Sequence, residues 1–162
     1  FKESLIALAV AFLFMGLVVF IYFRTFIPSA AVILAAFSDM VVALAVINIM
    51  GVRVGTAGIA AFLMLIGYSV DTDILLTVRV LKRKEGTVMD RIISSFKTGM
   101  TMTVTAIISA LVALLVTQSE VIRQIMLILL IGLIADILNT WIQNVGLLRI
   151  YVERKYKKGV II

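Results

Sequence analysis

Four carboxylates occupy positions where a carboxylate is hardest to keep. Asp39, Asp71, Asp73 and Asp136 each lie inside a long apolar run, and the whole chain has nine acidic residues. At a bilayer centre such a group costs about 2.5–3.5 kcal/mol on insertion scales. Residues of this kind normally face a bundle interior and mark an ion or proton path. A carboxyl group shielded from water can alternate between protonated and ionised as its access changes. These four are the candidate proton pathway. Arg79, Tyr68, Ser69, Thr101, Thr105 and Asn139 are the supporting polar residues. The alternative is structural: a buried, hydrogen-bonded or ion-paired Asp, with Arg79, Arg149 or Lys97 as counterion.

Helical spacing sorts these groups into faces. Ser69, Asp73 and Thr77 are four apart and form one stripe. Asp71 is about 200° away from Asp73, on the face of Gly67 and Met64. Tyr68, Thr72 and Arg79 form a third line. The two carboxylates of this helix therefore meet different neighbours. Thr98, Thr101, Thr105 and Ser109 make a hydroxyl stripe on the next span. Gly132, Asp136, Asn139, Thr140 and Gln143 share a face on the last. Hydroxyl stripes also pack helices together without further function. Ala31, Ala35, Ser38, Gly55 and Gly58 are expected to allow close helix contact.

The elements that must position these groups are membrane spans. The chain has 162 residues, 63% hydrophobic and 15% charged. Soluble domains run nearer about 45–50% apolar, with about a quarter of residues charged. Five apolar segments are long enough to cross a bilayer as helix: Ser4 to Phe23, Pro28 to Met50, Thr56 to Val80, Thr98 to Thr117 and Val121 to Tyr151. Pro28 suits a first helical turn. Residues 87–97 read as a short amphipathic helix in the membrane interface, opened by the capping-box pattern Thr87 to Asp90. A simple amphipathic linker fits that pattern as well. The predicted fold is all-α: a polytopic transmembrane bundle of five spans in one domain, with one cytoplasmic interfacial helix. The first span has no polar stripe and is expected to face lipid or a partner.

Cysteine and histidine are absent. That removes disulfides, thiol nucleophiles, zinc–thiolate sites and His-based catalysis. No Gly-rich phosphate loop or Ser triad is present. Asp39 with Asp71 could in principle form an intramembrane aspartyl pair, but nothing around them supports it. The expectation is a protein that is not an enzyme, with no cofactor and no metal.

The net charge of +6 is mostly a topology signal. Alternating spans leave Lys2, Arg53 and Arg123 on one side and the other twelve Lys and Arg on the opposite side. The positive-inside rule then places the 79–97 loop and the C-terminus in the cytoplasm. Phe1 falls outside. The chain does not start with Met, and no cleavable signal precedes the first span. The expectation is a piece of a longer plasma-membrane protein, preceded by an earlier span and an external domain.

The third span reads Leu65-Ile66-Gly67-Tyr68-Ser69-Val70-Asp71-Thr72-Asp73-Ile74-Leu75-Leu76-Thr77-Val78-Arg79. It resembles the signature helix of the SecD/SecF protein-export family of the RND superfamily. Gly67-Tyr68-Ser69 matches the SecF start, and Gly67, Val70-Asp71 and Arg79 match the SecD pattern. The basic run, the amphipathic segment and the Thr-rich span follow in the same order. The resemblance covers nearly the whole chain, as spans two to six of a six-span, archaeal-type SecF. There are departures. Thr72 stands where many bacterial members carry their acid, and Asp71 falls on the SecD acid position. Val78 stands in place of the Asp before the Arg, and a bacterial arginine falls at Thr101. The resemblance implies assistance of protein translocation, driven by the proton gradient, with a SecD-like partner, the Sec channel, the translocating polypeptide, protons and membrane lipid, and no nucleic acid. Asp71 would accept and release protons, with Asp73, Asp39 and Asp136 lining the path. Arg79 would anchor the cytoplasmic end or tune those groups. Two other readings remain: half of another RND-type exporter of lipids or small molecules, or a non-conducting scaffold of the Sec complex.

Overall fold

The computed structural model describes residues 2–82 and 86–157. Arg83, Lys84 and Lys158 of the basic set expected on the cytoplasmic side, and Phe1, lie outside them. The described residues form helices α1 (Lys2–Phe23), α2 (Phe26–Ile49), α3 (Thr56–Lys82), α4 (Val88–Val116), α5 (Glu120–Leu138) and α6 (Val145–Lys157), with a π-helical turn at Asn139–Asn144 joining the last two. Five rods are long and apolar enough to cross a membrane; α5, the π turn and α6 act as one of them. The protein is a five-span, all-α membrane bundle.

Local signals set the ends. Arg24, with φ of 51°, turns the chain between α1 and α2. Pro28 sits in the first turn of α2, where a missing N–H is harmless. Gly51 takes a φ of 69° after α2. Its N–H bonds to the Asn48 carbonyl, and the Val52 N–H bonds to the Ile47 carbonyl. That is a Schellman closure, which needs a residue free to adopt the left-handed region.

The amphipathic segment 87–97 and the Thr-rich span 98–117 are a single helix of 29 residues, not an interfacial helix followed by a span. No proline and no left-handed residue interrupts the junction, so helix propagation continues through it. At 1.5 Å per residue the rod is about 43 Å long. That exceeds a hydrocarbon core of about 30 Å, so its amphipathic turns reach into the interface. The capping box is real. The Thr87 hydroxyl accepts from the Asp90 N–H at 3.2 Å, and Asp90 Oδ2 accepts from the Thr87 N–H at 2.9 Å. Thr87→Ala is expected to lower stability by about 1 kcal/mol, read as a drop in thermal midpoint.

The bundle has a layered interior. α3 and α5 are central, each packed against α2 and α4 and against one another; α1 lies on α2 and α3 at the rim. Most of α1 presents apolar side chains outward, among them Leu13, Phe14 and Ile21. One apolar core joins Ile47, Phe62, Leu65, Ile128 and Leu133. Another, toward the opposite end, joins Leu76, Val80, Leu148 and Val152. Small residues allow these contacts. A Cβ on Gly132 would collide with Leu65, and one on Gly99 would meet Trp141 at 2.6 Å. Ala31, Ala35 and Gly58 are buried as expected, whereas Gly55 is exposed. Between the two apolar cores, α3 places Ser69 and Asp73, and α5 and the π turn place Asp136 and Thr140. The polar layer is thus sealed by hydrocarbon from both ends.

Candidate functional site: a buried carboxyl cluster

Asp39 of α2, Asp73 of α3 and Asp136 of α5 converge in that layer, with relative exposures of 0%, 0% and 1%. Asp39 Oδ2 accepts from the Ser69 hydroxyl at 2.5 Å, and its Oδ1 accepts from the Asn139 amide at 2.6 Å. Asp136 is a further hydrogen-bond neighbour of Asp39. The Thr140 hydroxyl lies 3.0 Å from Asp136 Oδ1 and 3.0 Å from Asp73 Oδ1. The Asn144 amide donates to Asp73 Oδ1 at 2.6 Å. The groups form one chain: Asp39, Asp136, Thr140, Asp73.

Donor counting says what this chain holds. A hydroxyl has one proton and two lone pairs. Thr140 can therefore donate to Asp136 or to Asp73, and not to both. The second contact is a hydrogen bond only when the other carboxyl supplies the proton. Contact between the Asp39 and Asp136 carboxyls likewise needs a proton on one of them. Among the described residues, no ion pair reaches any of the three; Arg149 pairs with Glu153. Three unpaired negative charges in one dry layer would be prohibitive. The geometry is that of carboxyls of which at least one keeps its proton.

The expected stripe Ser69, Asp73 and Thr77 is the fully buried face of α3. Asp71 lies on another face and is exposed, with Gly67 and Tyr68. The structure thus brings together Asp39, Asp73, Asp136, Ser69 and Asn139, and keeps Asp71 apart from them. Tyr68 lines an outward-facing groove of about 700 Å³ with Lys97, Thr98, Thr101, Thr105 and Ser109. The Thr101 and Thr105 hydroxyls bond back to the Lys97 and Thr101 carbonyls at 2.8 and 2.7 Å. They are satisfied within α4 and do not reach the cluster. Arg79 donates to the Ser94 carbonyl and to the Thr98 hydroxyl, both at 2.8 Å. It ties the C-terminal end of α3 to α4 and leaves the carboxyls without a counterion. Neither Arg79 nor Arg149 fills the counterion role considered from the sequence.

Asn144 is a member of the site that the face reading passed over. It follows Asp136 and Thr140 at intervals of four, so the helical series already pointed to it. The π turn had no such signal. Its wide winding, with the Val145 N–H reaching the Thr140 carbonyl, sets Asn139 toward α2 and Asn144 toward α3. Such turns recur at functional sites.

The comparisons agree with this architecture. Residues 1–154 match the family described as protein export membrane protein SecD/SecF, C-terminal. The chain is 49% identical to the protein-export membrane protein SecF of Thermococcus gammatolerans, over 98% of this chain and 50% of that protein. It is 51% identical to SecF of Methanothermobacter thermautotrophicus, over 91% of this chain and 53% of the relative. With SecF of Methanocaldococcus jannaschii the figures are 44%, 98% and 58%. The chain spans about half the length of these curated relatives. On the family match, these identities and the five-span bundle, the chain belongs to the archaeal SecF branch of the SecD/SecF family of protein-export membrane proteins.

Proposed function

We propose that this chain is the membrane-embedded working part of a SecF-type subunit that assists Sec-dependent translocation and draws on the proton gradient. The observation that carries the reading is the buried, counterion-free series Asp39, Asp136, Thr140 and Asp73. Its partners are a SecD-like subunit, the Sec channel and the translocating polypeptide, with protons as coupling ion and lipid around α1. The twelve-to-three charge bias favours a C-terminus on the cytoplasmic side of the cell membrane. Protons pass along the three buried carboxyls while the hydroxyls of Ser69 and Thr140 reorient.

Asp71 has a separate part. An exposed carboxylate and a hydroxyl-lined groove at membrane depth need cover from protein or contact with water. The SecD-like subunit supplies that cover, and Asp71 exchanges protons at the shared face. The test is Asp71→Asn in the full-length protein with its partner, in vesicles carrying an imposed pH gradient. The expected result is loss of gradient-stimulated export with the complex still assembled. Full export and full proton flux would remove Asp71 from the mechanism.

A further inference from the structure

At the end of the bundle remote from Arg79, the α2–α3 connection meets the start of α5 around one cavity. Its volume is about 380 Å³, and Val52, Arg53, Glu120, Val121, Arg123 and Leu127 line it. The Gln124 amide donates to the Arg53 carbonyl at 2.5 Å and pins the connection onto the first turns of α5. Arg53 and Arg123 thus reach one hollow from two elements. Both are exposed. Among the described residues, no ion pair or hydrogen bond holds either guanidinium or the Glu120 carboxylate. Two cations share this cavity, and one carboxylate offsets only half of their charge.

Depth decides which anion meets them. Arg53 stands between two spanning helices, Phe26–Ile49 and Thr56–Lys82, and Arg123 lies in the first turn of the last span. Both therefore sit where the rods leave the hydrocarbon, at the level of lipid headgroups. Leu127 is one turn deeper than Arg123 and, with Val52 and Val121, gives the cavity an apolar side. A guanidinium fork matches the oxygens of a phosphate. The net charge of the lining is a single positive one, which suits a phosphodiester better than inorganic phosphate with its greater charge. We propose that Arg53 and Arg123 clasp the phosphodiester of an anionic phospholipid headgroup, with the apolar side of the cavity against the first carbons of that lipid. The lipid then ties the α2–α3 connection to α5. This site lies apart from the carboxyl layer and does not depend on proton transfer there.

The test is native mass spectrometry of the purified full-length protein, titrated with phosphatidylglycerol, phosphatidylcholine or sodium phosphate. Arg53→Gln and Arg123→Gln should each weaken one phosphatidylglycerol-binding step about tenfold, as for lost hydrogen bonds to a charged group. The double variant should lose less than the sum, because both guanidiniums hold one phosphate. Glu120→Gln should strengthen the same step by removing a like charge. Phosphatidylcholine, whose choline cation cancels the charge, should bind there more weakly. The lipid-free thermal midpoint should stay unchanged in the glutamine variants, since neither guanidinium has a partner to lose. A fallen midpoint would mean that the longer protein itself occupies the cavity, and it overturns the proposal. So does phosphatidylglycerol binding that ignores both arginine substitutions, or strictly additive losses, which would assign the arginines to separate lipids. Inorganic phosphate that displaces the lipid at equal concentration would make this a free-anion site and overturns the lipid assignment.

Discussion

Asp73→Asn is expected to abolish proton-gradient stimulation of export while leaving the bundle folded. The substitution keeps shape and removes titration. The retained carbonyl oxygen still accepts from Asn144, which now donates at 2.6 Å, and from Thr140 at 3.0 Å. The new amide nitrogen stands where Asp73 Oδ2 has no partner. With the contacts to Asn144 and Thr140 kept, thermal stability should hold. Charge balance points the same way, since an amide needs no counterion in a dry layer. Export driven by the pH gradient should nevertheless fall to its level without a gradient, because Thr140 then has no exchanging group on the α3 side. The measurement pairs a thermal midpoint with export in vesicles that carry the full-length protein and its partner, with and without the gradient. Gradient stimulation surviving in this variant would show that the series Asp39, Asp136, Thr140 and Asp73 is a hydrogen-bonded strut.

The contrast between Asp71 and Asp73 shows what the sequence could and could not reveal. Spacing alone separated their faces, and the structure keeps that separation: Ser69, Asp73 and Thr77 are interior while Asp71, Gly67 and Tyr68 are exterior. The family pattern drew attention to Asp71, since motif resemblance speaks of position along a chain and not of what faces a position. Which carboxyls meet depends on how α2, α3 and α5 are rotated, and that is fixed by small residues such as Gly132 and by the π turn. Neither leaves a periodic trace. The span starts and ends were legible from apolar runs, Pro28, Gly51 and the Thr87 cap. The break expected between 97 and 98 was read from a change of amphipathicity, which alters a helix's surroundings without ending the helix.

The same dependence on rotation makes Gly132 the most sensitive apolar-face position. Gly132→Ala places a methyl group against both terminal carbons of Leu65, and 2.8 Å from its Cγ. Leu65 is fully buried, so no single methyl can swing clear; the whole side chain or the helix must move. Overpacking of this kind costs about 1–3 kcal/mol. The displacement also travels. Leu65 is one turn from Ser69, and Gly132 is one turn from Asp136, so parting α3 from α5 stretches the Thr140 contacts to Asp73 and Asp136. Gly132→Ala should therefore lower the thermal midpoint and reduce gradient-stimulated export together. Leu65→Ala alone leaves a cavity, at about 2–5 kcal/mol. In the double variant the new methyl enters space the leucine has left, and the combined loss should be smaller than the sum by about 0.5–3 kcal/mol, as for residues in contact. Unfolding of the four proteins in one detergent measures this. Strict additivity would mean that the α3–α5 contact does not run through these two residues. Recovery of stability without recovery of export would mean that the carboxyl layer tolerates less displacement than the fold does.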